Sequence, residues 1–195
     1  MTSVKPDIEQ LAEDLWAFSL EYYKCSEVET NCLQFQNEHH GNVNVLLVLL
    51  WYSIRWRRTI SQSVVKELLT SIKNEVTLVD TVRTFRKNFE PKLREISDQL
   101  TEQVKPQFLA IELLLEKQMQ MALVTCFNRI INLTECLPAN DSIQLTDKQL
   151  LKETTEHNIE KYIATLNDDS KDALDLLKQF FVESFIEHLY SRKDI

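Results

Sequence analysis

The residues best suited to chemistry in this sequence are four histidines, four cysteines and one pair of adjacent aspartates. His39 and His40 are neighbours, and on a helix neighbouring side chains point about 100° apart, so the two do not form a regular metal pair. A helical metal pair needs the spacing of an H-E-x-x-H motif. We expect these histidines to lie at the surface or at a helix end, and the sequence predicts no metal site.

Nucleophilic catalysis is not indicated either. The chain has no G-x-S-x-G elbow, and none of the four cysteines has an activating neighbour in the sequence. Asp168 and Asp169 precede a C-terminal helix, where carboxylates suit the positive end of the helix dipole, so we expect them to be solvated. We therefore predict a protein that is not an enzyme and has no cofactor.

The composition favours an all-helical fold. One glycine and four prolines in 195 residues exclude the glycine-rich loops of Rossmann and P-loop nucleotide sites. Apolar residues recur at helical spacing, most clearly near the two ends of the chain. We predict an all-α bundle of about seven to nine helices with a C-terminal helical hairpin. A loop-like stretch from Leu137 divides the chain into a core domain, 1–136, and an extension, 137–195, packed on it.

Capping residues and prolines predict individual helix ends. Ser26 and Glu29 form a capping box that should open the second helix. Gly41 follows that helix, where a left-handed residue is wanted. Pro91 and Pro106 each suit the first turn of a helix, so we expect a helix to begin at each of them.

The next helix, predicted from about Val43 to Thr59, is apolar on nearly every face, which is typical of a helix buried in a bundle. Asn42 or Asn44 can cap its start. Because Asn44 lies one turn ahead of the face that carries Trp51, we expect it to be buried. A buried Asn needs hydrogen-bond partners, and we expect them at the cap or in the preceding turn.

Charge is unevenly distributed along the chain. Residues 51–110 carry eleven Lys and Arg against seven Asp and Glu, whereas 1–50 and 111–195 are acidic. One interpretation is internal matching between basic and acidic helices. The other is an anionic partner, RNA or an acidic protein surface, bound to the basic segment 55–94. The candidate partner-binding residues are Arg55, Trp56, Arg57, Arg58, Arg83, Arg86 and Lys87.

The stretch from Leu15 to Ser53 resembles the N-terminal signature of an uncharacterised bacterial family, domain of unknown function 2390. The resemblance covers about residues 8–130, and it implies a bacterial, cytoplasmic, helical protein without adding a catalytic residue. The matching positions are Leu15, Trp16, Tyr22, Tyr23, Val28, Cys32, Leu33, Gln36, Gly41, Val43, Asn44 and Leu46 through Trp51; Trp16, Gly41, Asn44 and Trp51 are its structural signature.

We predict a non-enzymatic helical adaptor or regulatory protein that binds another protein. The alternatives are an RNA- or ribosome-associated factor that uses the basic segment, and a small-molecule or lipid-pocket protein with a cavity near Asn44 and Trp51. The N-terminus is acidic, and the longest apolar run is about 12 residues, against the roughly 20 that a membrane span needs. We therefore expect a cytoplasmic protein with no membrane span.

Overall fold

A computed structural model describes residues 7–133, 145–166 and 168–191 of the chain. In these ranges the protein forms eight helices, which hold 86% of the described residues, and no strand. The predicted all-α bundle is confirmed. The helices are α1 (Ile8–Tyr22), α2 (Val28–His39), α3 (Val43–Trp56), α4 (Gln62–Ser71), α5 (Lys73–Ile96), α6 (Asp98–Ile131), α7 (Leu145–Ile163) and α8 (Lys171–Ser191).

Helix α3 is the centre of the core. Twelve of its fourteen residues are buried, and it packs against α1, α2, α6 and α7. Asn42 caps its start, because the side-chain Oδ1 accepts a hydrogen bond from the Val45 amide at 3.2 Å. The hydroxyl of Tyr162 in α7 donates to the Asn42 carbonyl at 3.0 Å and fastens the same turn from outside. The predicted buried helix is confirmed, although it ends at Trp56.

The turn between α2 and α3 uses Gly41 for packing and not for backbone freedom. His40 holds the left-handed conformation, with φ 54°, whereas Gly41 has no positive φ. A Cβ on Gly41 would lie 2.2–2.5 Å from ring carbons of Phe35. That ring is held by edge contacts with Tyr162 and Phe181, with centroids 5.7 and 5.9 Å away. The prediction of a left-handed Gly41 is therefore wrong, and the close approach of the Phe35 ring to its backbone explains the glycine.

The link between α1 and α2 also differs from the prediction. Helix α2 begins at Val28, and the residue before it, Glu27, is left-handed with φ 64° and provides no side-chain cap. Ser26 lies within a tight turn, in which the Val28 amide donates to the Cys25 carbonyl at 3.3 Å. The predicted capping box at Ser26 does not form, because the helix starts after it.

Helices α5 and α6 form a long hairpin broken at Ser97. The Ser97 hydroxyl oxygen accepts from the Leu100 amide at 3.3 Å and starts α6. Pro91 and Pro106 lie inside α5 and α6, so the helix starts predicted at both prolines are wrong. Each proline removes one backbone hydrogen bond at an exposed position. Packing of α5 along α6 carries the helices across these positions.

Helices α7 and α8 pack together as the predicted C-terminal hairpin. Their apolar side chains, such as Tyr162 and Phe185, belong to the same hydrophobic cluster as those of α3. The boundary predicted at 136 and 137 lies outside the described residues, as do Leu137 and Cys136. The division into two domains stays a prediction.

We expect Gly41→Ala to lower the free energy of unfolding by about 1–3 kcal/mol, the usual cost of an overpacked core site. The new methyl group cannot fit without moving the Phe35 ring out of its contacts with Tyr162 and Phe181. Urea denaturation followed by circular dichroism measures the change.

The matched control is His40→Gly at the neighbouring position. A non-glycine residue at φ 54° carries a steric cost, so this variant should be more stable than wild type by about 0.5–1 kcal/mol. The packing explanation would be wrong if Gly41→Ala left the unfolding midpoint unchanged.

Candidate functional site

A buried polar cluster joins α1, α3 and α6 beside the core. The Nε2 of Gln120 donates to Asn44 Oδ1 at 2.9 Å and to Ser19 Oγ at 3.0 Å. The Ser19 hydroxyl donates to the Leu15 carbonyl at 2.8 Å. Exposed fractions are 1% for Gln120, 3% for Ser19 and 8% for Asn44. Asn44 therefore finds its partner on α6, and the prediction that it bonds within the helix entrance is wrong.

Asn44 lies on the floor of a cleft with two lobes. The polar lobe, about 500 Å³, lies between the α2–α3 turn and α5. The apolar lobe, about 280 Å³, lies between α1, α2 and α6. Five residues line both lobes: Gln36, Val43, Asn44, Arg83 and Glu116. The polar lobe is completed by Asn37, His40, Gly41, Asn42, Val76, Val79, Asp80, Thr84, Lys87 and Met119; the apolar lobe by Trp16, Ser19, Leu20, Tyr23, Glu29, Cys32, Leu33, Leu47, Leu113 and Gln120.

The apolar lobe gathers large side chains that remain open to solvent. Leu20, Tyr23, Leu33 and Leu113 are 44%, 37%, 49% and 48% exposed, and they come from three different helices or their ends. Contiguous exposed apolar side chains mark interaction sites more often than scattered ones do. Burial raises the pKa of the Cys32 thiol on the floor to about 12, so this thiol stays neutral and contributes apolar surface.

An ion-pair network closes one side of the cleft. Arg83 contacts Glu116 through its Nη2 and Glu112 through its Nε at 3.7 Å. Arg86 donates to Glu112 at 2.6 Å and to Glu90 at 3.2 Å. Burial raises the pKa of Glu116, while the positive charge of Arg83 opposes that shift. The basic residues of α5 thus face the acidic residues of α6.

The other predicted partner-binding residues are distributed differently. Arg55 lies 3.3 Å from Asp14. Trp56 is 5% exposed and packs on Trp51 and Tyr52, so the prediction that it contacts a partner is wrong. Lys87 is exposed, lines the polar lobe and has no ion pair among residues 7–133. Arg57 and Arg58 follow the end of α3, and neither lines the cleft.

The four signature residues have separate roles. Trp16 lines the apolar lobe, and Lys117 Nζ lies 5.9 Å from the centre of its ring. Trp51 is 1% exposed, and its indole donates to Asp14 at 2.6 Å. Gly41 admits the Phe35 ring, and Asn44 joins the two lobes of the cleft.

His39 belongs to a second polar cluster that the sequence did not reveal. Its Nδ1 lies 2.7 Å from Asp168 Oδ2 and 3.1 Å from Ser170 Oγ, and its side chain is 4% exposed. His39 is the last residue of α2 and His40 is its C-cap, as expected of residues at a helix end, but the side chain of His39 is buried, so the expectation of a surface His39 is wrong. Asp168 is half-buried and bonded to His39, and not fully solvated as expected. In a nucleophilic triad the acid and the serine occupy opposite ring nitrogens. Here both occupy Nδ1, so the cluster ties α2 to the start of α8 and has no triad geometry.

Cys25 and His188 form a third contact between distant parts of the chain. Cys25 Sγ lies 3.0 Å from His188 Nδ1, and both residues are half-buried. The sequence interval of 163 residues gave no signal for this pair. Neither residue lines the two-lobed cleft.

The comparison with known families distinguishes these clusters by their position along the chain. Residues 14–123 match the family described as "Protein of unknown function (DUF2390)". The chain belongs to this family. No curated protein and no solved structure matches the chain. Every residue of the two-lobed cleft lies inside the DUF2390 segment, whereas Asp168 and His188 lie beyond it. All residues that line the cleft therefore come from the DUF2390 segment.

Within the described residues of this DUF2390 protein, no helix combines the length and the apolar character that crossing a bilayer requires. The same residues contain no group of three or more His, Cys, Asp or Glu side chains that could hold a metal ion.

We expect the hydrogen bonds that Asp168 makes with Ser170 and His39 to make stability depend on pH below about pH 4. Hydrogen bonds from the Ser170 hydroxyl and amide, with a smaller effect of His39, lower the pKa of Asp168 from 3.8 to about 2. Between these values the unfolded state binds more protons, so acid destabilises the folded chain. At about pH 5 the wild type should have a higher midpoint of thermal unfolding than Asp168→Asn. This difference in midpoint should vanish towards about pH 2.

The neighbouring Asp169→Asn is the matched control, because it removes the same charge from an exposed side chain. The difference in unfolding midpoint between Asp169→Asn and wild type should not shrink between about pH 5 and about pH 2. A constant difference between wild type and Asp168→Asn from about pH 5 to about pH 2 would contradict the assignment.

Proposed function

We propose that this protein is a non-enzymatic helical adaptor or regulatory protein, which binds a segment of another protein in the two-lobed cleft. The observation that carries the proposal is the convergence of Leu20, Tyr23, Leu33 and Leu113 on the apolar lobe, next to the buried amide of Asn44. The proposal retains the bacterial, cytoplasmic setting predicted from the sequence.

The chemistry of the cleft suits a peptide segment. Peptide-binding grooves combine pockets for apolar side chains with polar groups that fix the orientation of the bound chain. Here the apolar lobe offers the pocket, and the polar lobe offers the side-chain amides of Gln36 and Asn37. The two lobes share five residues, so one short segment can occupy both.

The contacts on α5 and α3 weigh against the RNA-associated alternative. A surface that binds the phosphate backbone of RNA needs exposed cations, with aromatic rings available to stack on the bases. Arg83 and Arg86 are instead engaged by Glu112, and Trp56 is buried. The bundle therefore uses much of the basic segment for its own ion pairs.

The cavity beside Asn44 does favour a second candidate, a small-molecule binding protein. The polar lobe, at about 500 Å³, falls within the range of volumes for ligand sites, roughly 300–1,000 Å³, and the apolar lobe, at about 280 Å³, falls just below it. The adaptor proposal ranks first because the apolar lobe is rimmed by exposed side chains, as a protein-binding surface is.

We expect Leu33→Glu and Leu113→Glu each to weaken partner capture by roughly tenfold or more, since each removes an apolar anchor and adds a charge to the lobe. Leu176→Glu on α8 is the matched control: Leu176 is 69% exposed and outside the cleft. A photo-crosslinking residue at position 33, 113 or 176 of the full chain, in the native host, reports the contact.

Crosslinks to one defined protein should form at 33 and 113 and not at 176, and they should be lost when the other cleft leucine is changed to Glu. Circular dichroism establishes that the variants remain folded. Capture that is equal at all three positions, or that survives both glutamate substitutions, would contradict the adaptor function. The second candidate would be favoured if a small molecule co-purified with the protein, stayed bound when the partner was added, and also co-purified with the glutamate variants.

A further inference from the structure

We infer that the polar lobe binds a carboxylate, namely the free C-terminal carboxylate of the partner segment, whose last apolar side chain fills the apolar lobe. This inference rests on the proposed function. It adds the chemistry by which the cleft selects its occupant, and it depends on the start of α3, on the side chain of Asn44 and on Lys87.

The start of α3 presents backbone donors to the polar lobe. Asn42 satisfies the Val45 amide through its side chain and the Leu46 amide through its carbonyl. The amides of Val43 and Asn44 have no hydrogen bond within the described residues, and both residues line the lobe. Unsatisfied amides together with the positive end of the helix dipole form an anion-binding position.

The side chain of Asn44 provides an independent indication of a ligand. Asn44 is 8% exposed, and its Oδ1 is occupied by Gln120. Its Nδ2 has no hydrogen-bond partner in the part of the chain that the structure describes, while the residue lines both lobes. This donor is accessible to solvent where Asn44 lines the cleft, so a ligand oxygen bound there can accept its hydrogen bond in place of water. The bond from Gln120 holds the amide with its donor towards the cleft.

The charges around the lobe leave one cation for the ligand. Asp80 and Glu116 line the lobe, and both contact Arg83, at 4.0 Å in the case of Asp80. The guanidinium of Arg83 is thus matched by carboxylates of the protein itself. Lys87 lies one turn further along α5, is exposed and has no ion pair within residues 7–133. A single carboxylate on the ligand would complement it.

The arrangement of the lobes identifies the carboxylate as a chain end. Val43 and Asn44 lie where the two lobes meet. In a C-terminal apolar residue, the carboxylate and the side chain branch from the same Cα, so both groups can reach their lobes from one point. Capture of a terminal carboxylate by backbone amides is an established mode of peptide recognition. An internal Asp or Glu would place its carboxylate on a side chain and need a second residue for the apolar lobe.

The test uses the full-length, ¹⁵N-labelled protein and two probes, N-acetyl-Ala-Leu with a free carboxylate and the same dipeptide as its C-terminal amide. We expect the free acid to shift the amide resonances of Val43 and Asn44 and to bind about tenfold or more tightly than the amide, because charge-assisted hydrogen bonds are lost with the carboxylate. Lys87→Gln should weaken binding of the acid by a similar factor.

Lys92→Gln is the matched control, since it removes an exposed cation from the same helix outside the polar lobe, and it should leave binding unchanged. Asn44→Asp is a second variant: it keeps the acceptor for Gln120, removes the donor and should abolish binding of the acid. Equal binding of acid and amide would overturn the carboxylate inference, and so would equal effects of Lys87→Gln and Lys92→Gln or no shift with the free acid.

A titration with sodium acetate alone distinguishes a site for any small carboxylate from a site for the C-terminal carboxylate of a peptide. If it binds as tightly as the dipeptide acid, the site takes a free small carboxylate and the inferred chain end is wrong. Failure of the adaptor function appears elsewhere, as crosslinks that do not depend on Leu33 and Leu113. The two ideas can therefore fail separately.

Discussion

Helix α3 is buried on nearly every side, and each buried polar atom that it carries must find a partner on a neighbouring helix. Asn44 bonds to Gln120 of α6, Trp51 to Asp14 of α1, and Ser53 accepts from Asn158 of α7 at 2.9 Å. An unmade bond at such a site costs about 1–3 kcal/mol, so these contacts set the rotation and the height of α3 against its neighbours. The bond between Asn44 and Gln120 holds α6 beside the start of α3, where both helices line the cleft.

Local features of the chain predicted the central helix well. Apolar residues on every face predicted burial from Val43 onwards, and the polar residue before that run predicted the cap at Asn42. Proline and serine signals were less reliable: Pro91 and Pro106 lie inside helices, and Ser26 does not cap one. Those signals describe isolated helix ends, whereas the packing of α5 on α6 and the tight turn after α1 decide where these helices begin.

The site was predictable only in part. Asn44 was identified as a buried residue in need of a partner, but its partner is 76 residues away. The contacts of His39 with Asp168 and of Cys25 with His188 span still longer intervals and have no local sequence signal. The charge pattern admitted two interpretations. On α5 the ion pairs of Arg83 and Arg86 with Glu112 agree with internal matching, and Lys87 stands out against that background only once those pairs are known.

The covering of α3 by α7 has a consequence for synthesis of the chain. The Asn42 carbonyl cannot accept its hydrogen bond from the Tyr162 hydroxyl until that residue has been synthesised, 120 residues further along the chain. At about 5–20 residues per second, the ribosome needs roughly 6–24 s to deliver that partner. During this time the most apolar helix of the protein has emerged without one of the helices that cover it. A nascent chain built in this order presents a binding site for holdase chaperones before it presents its own fold.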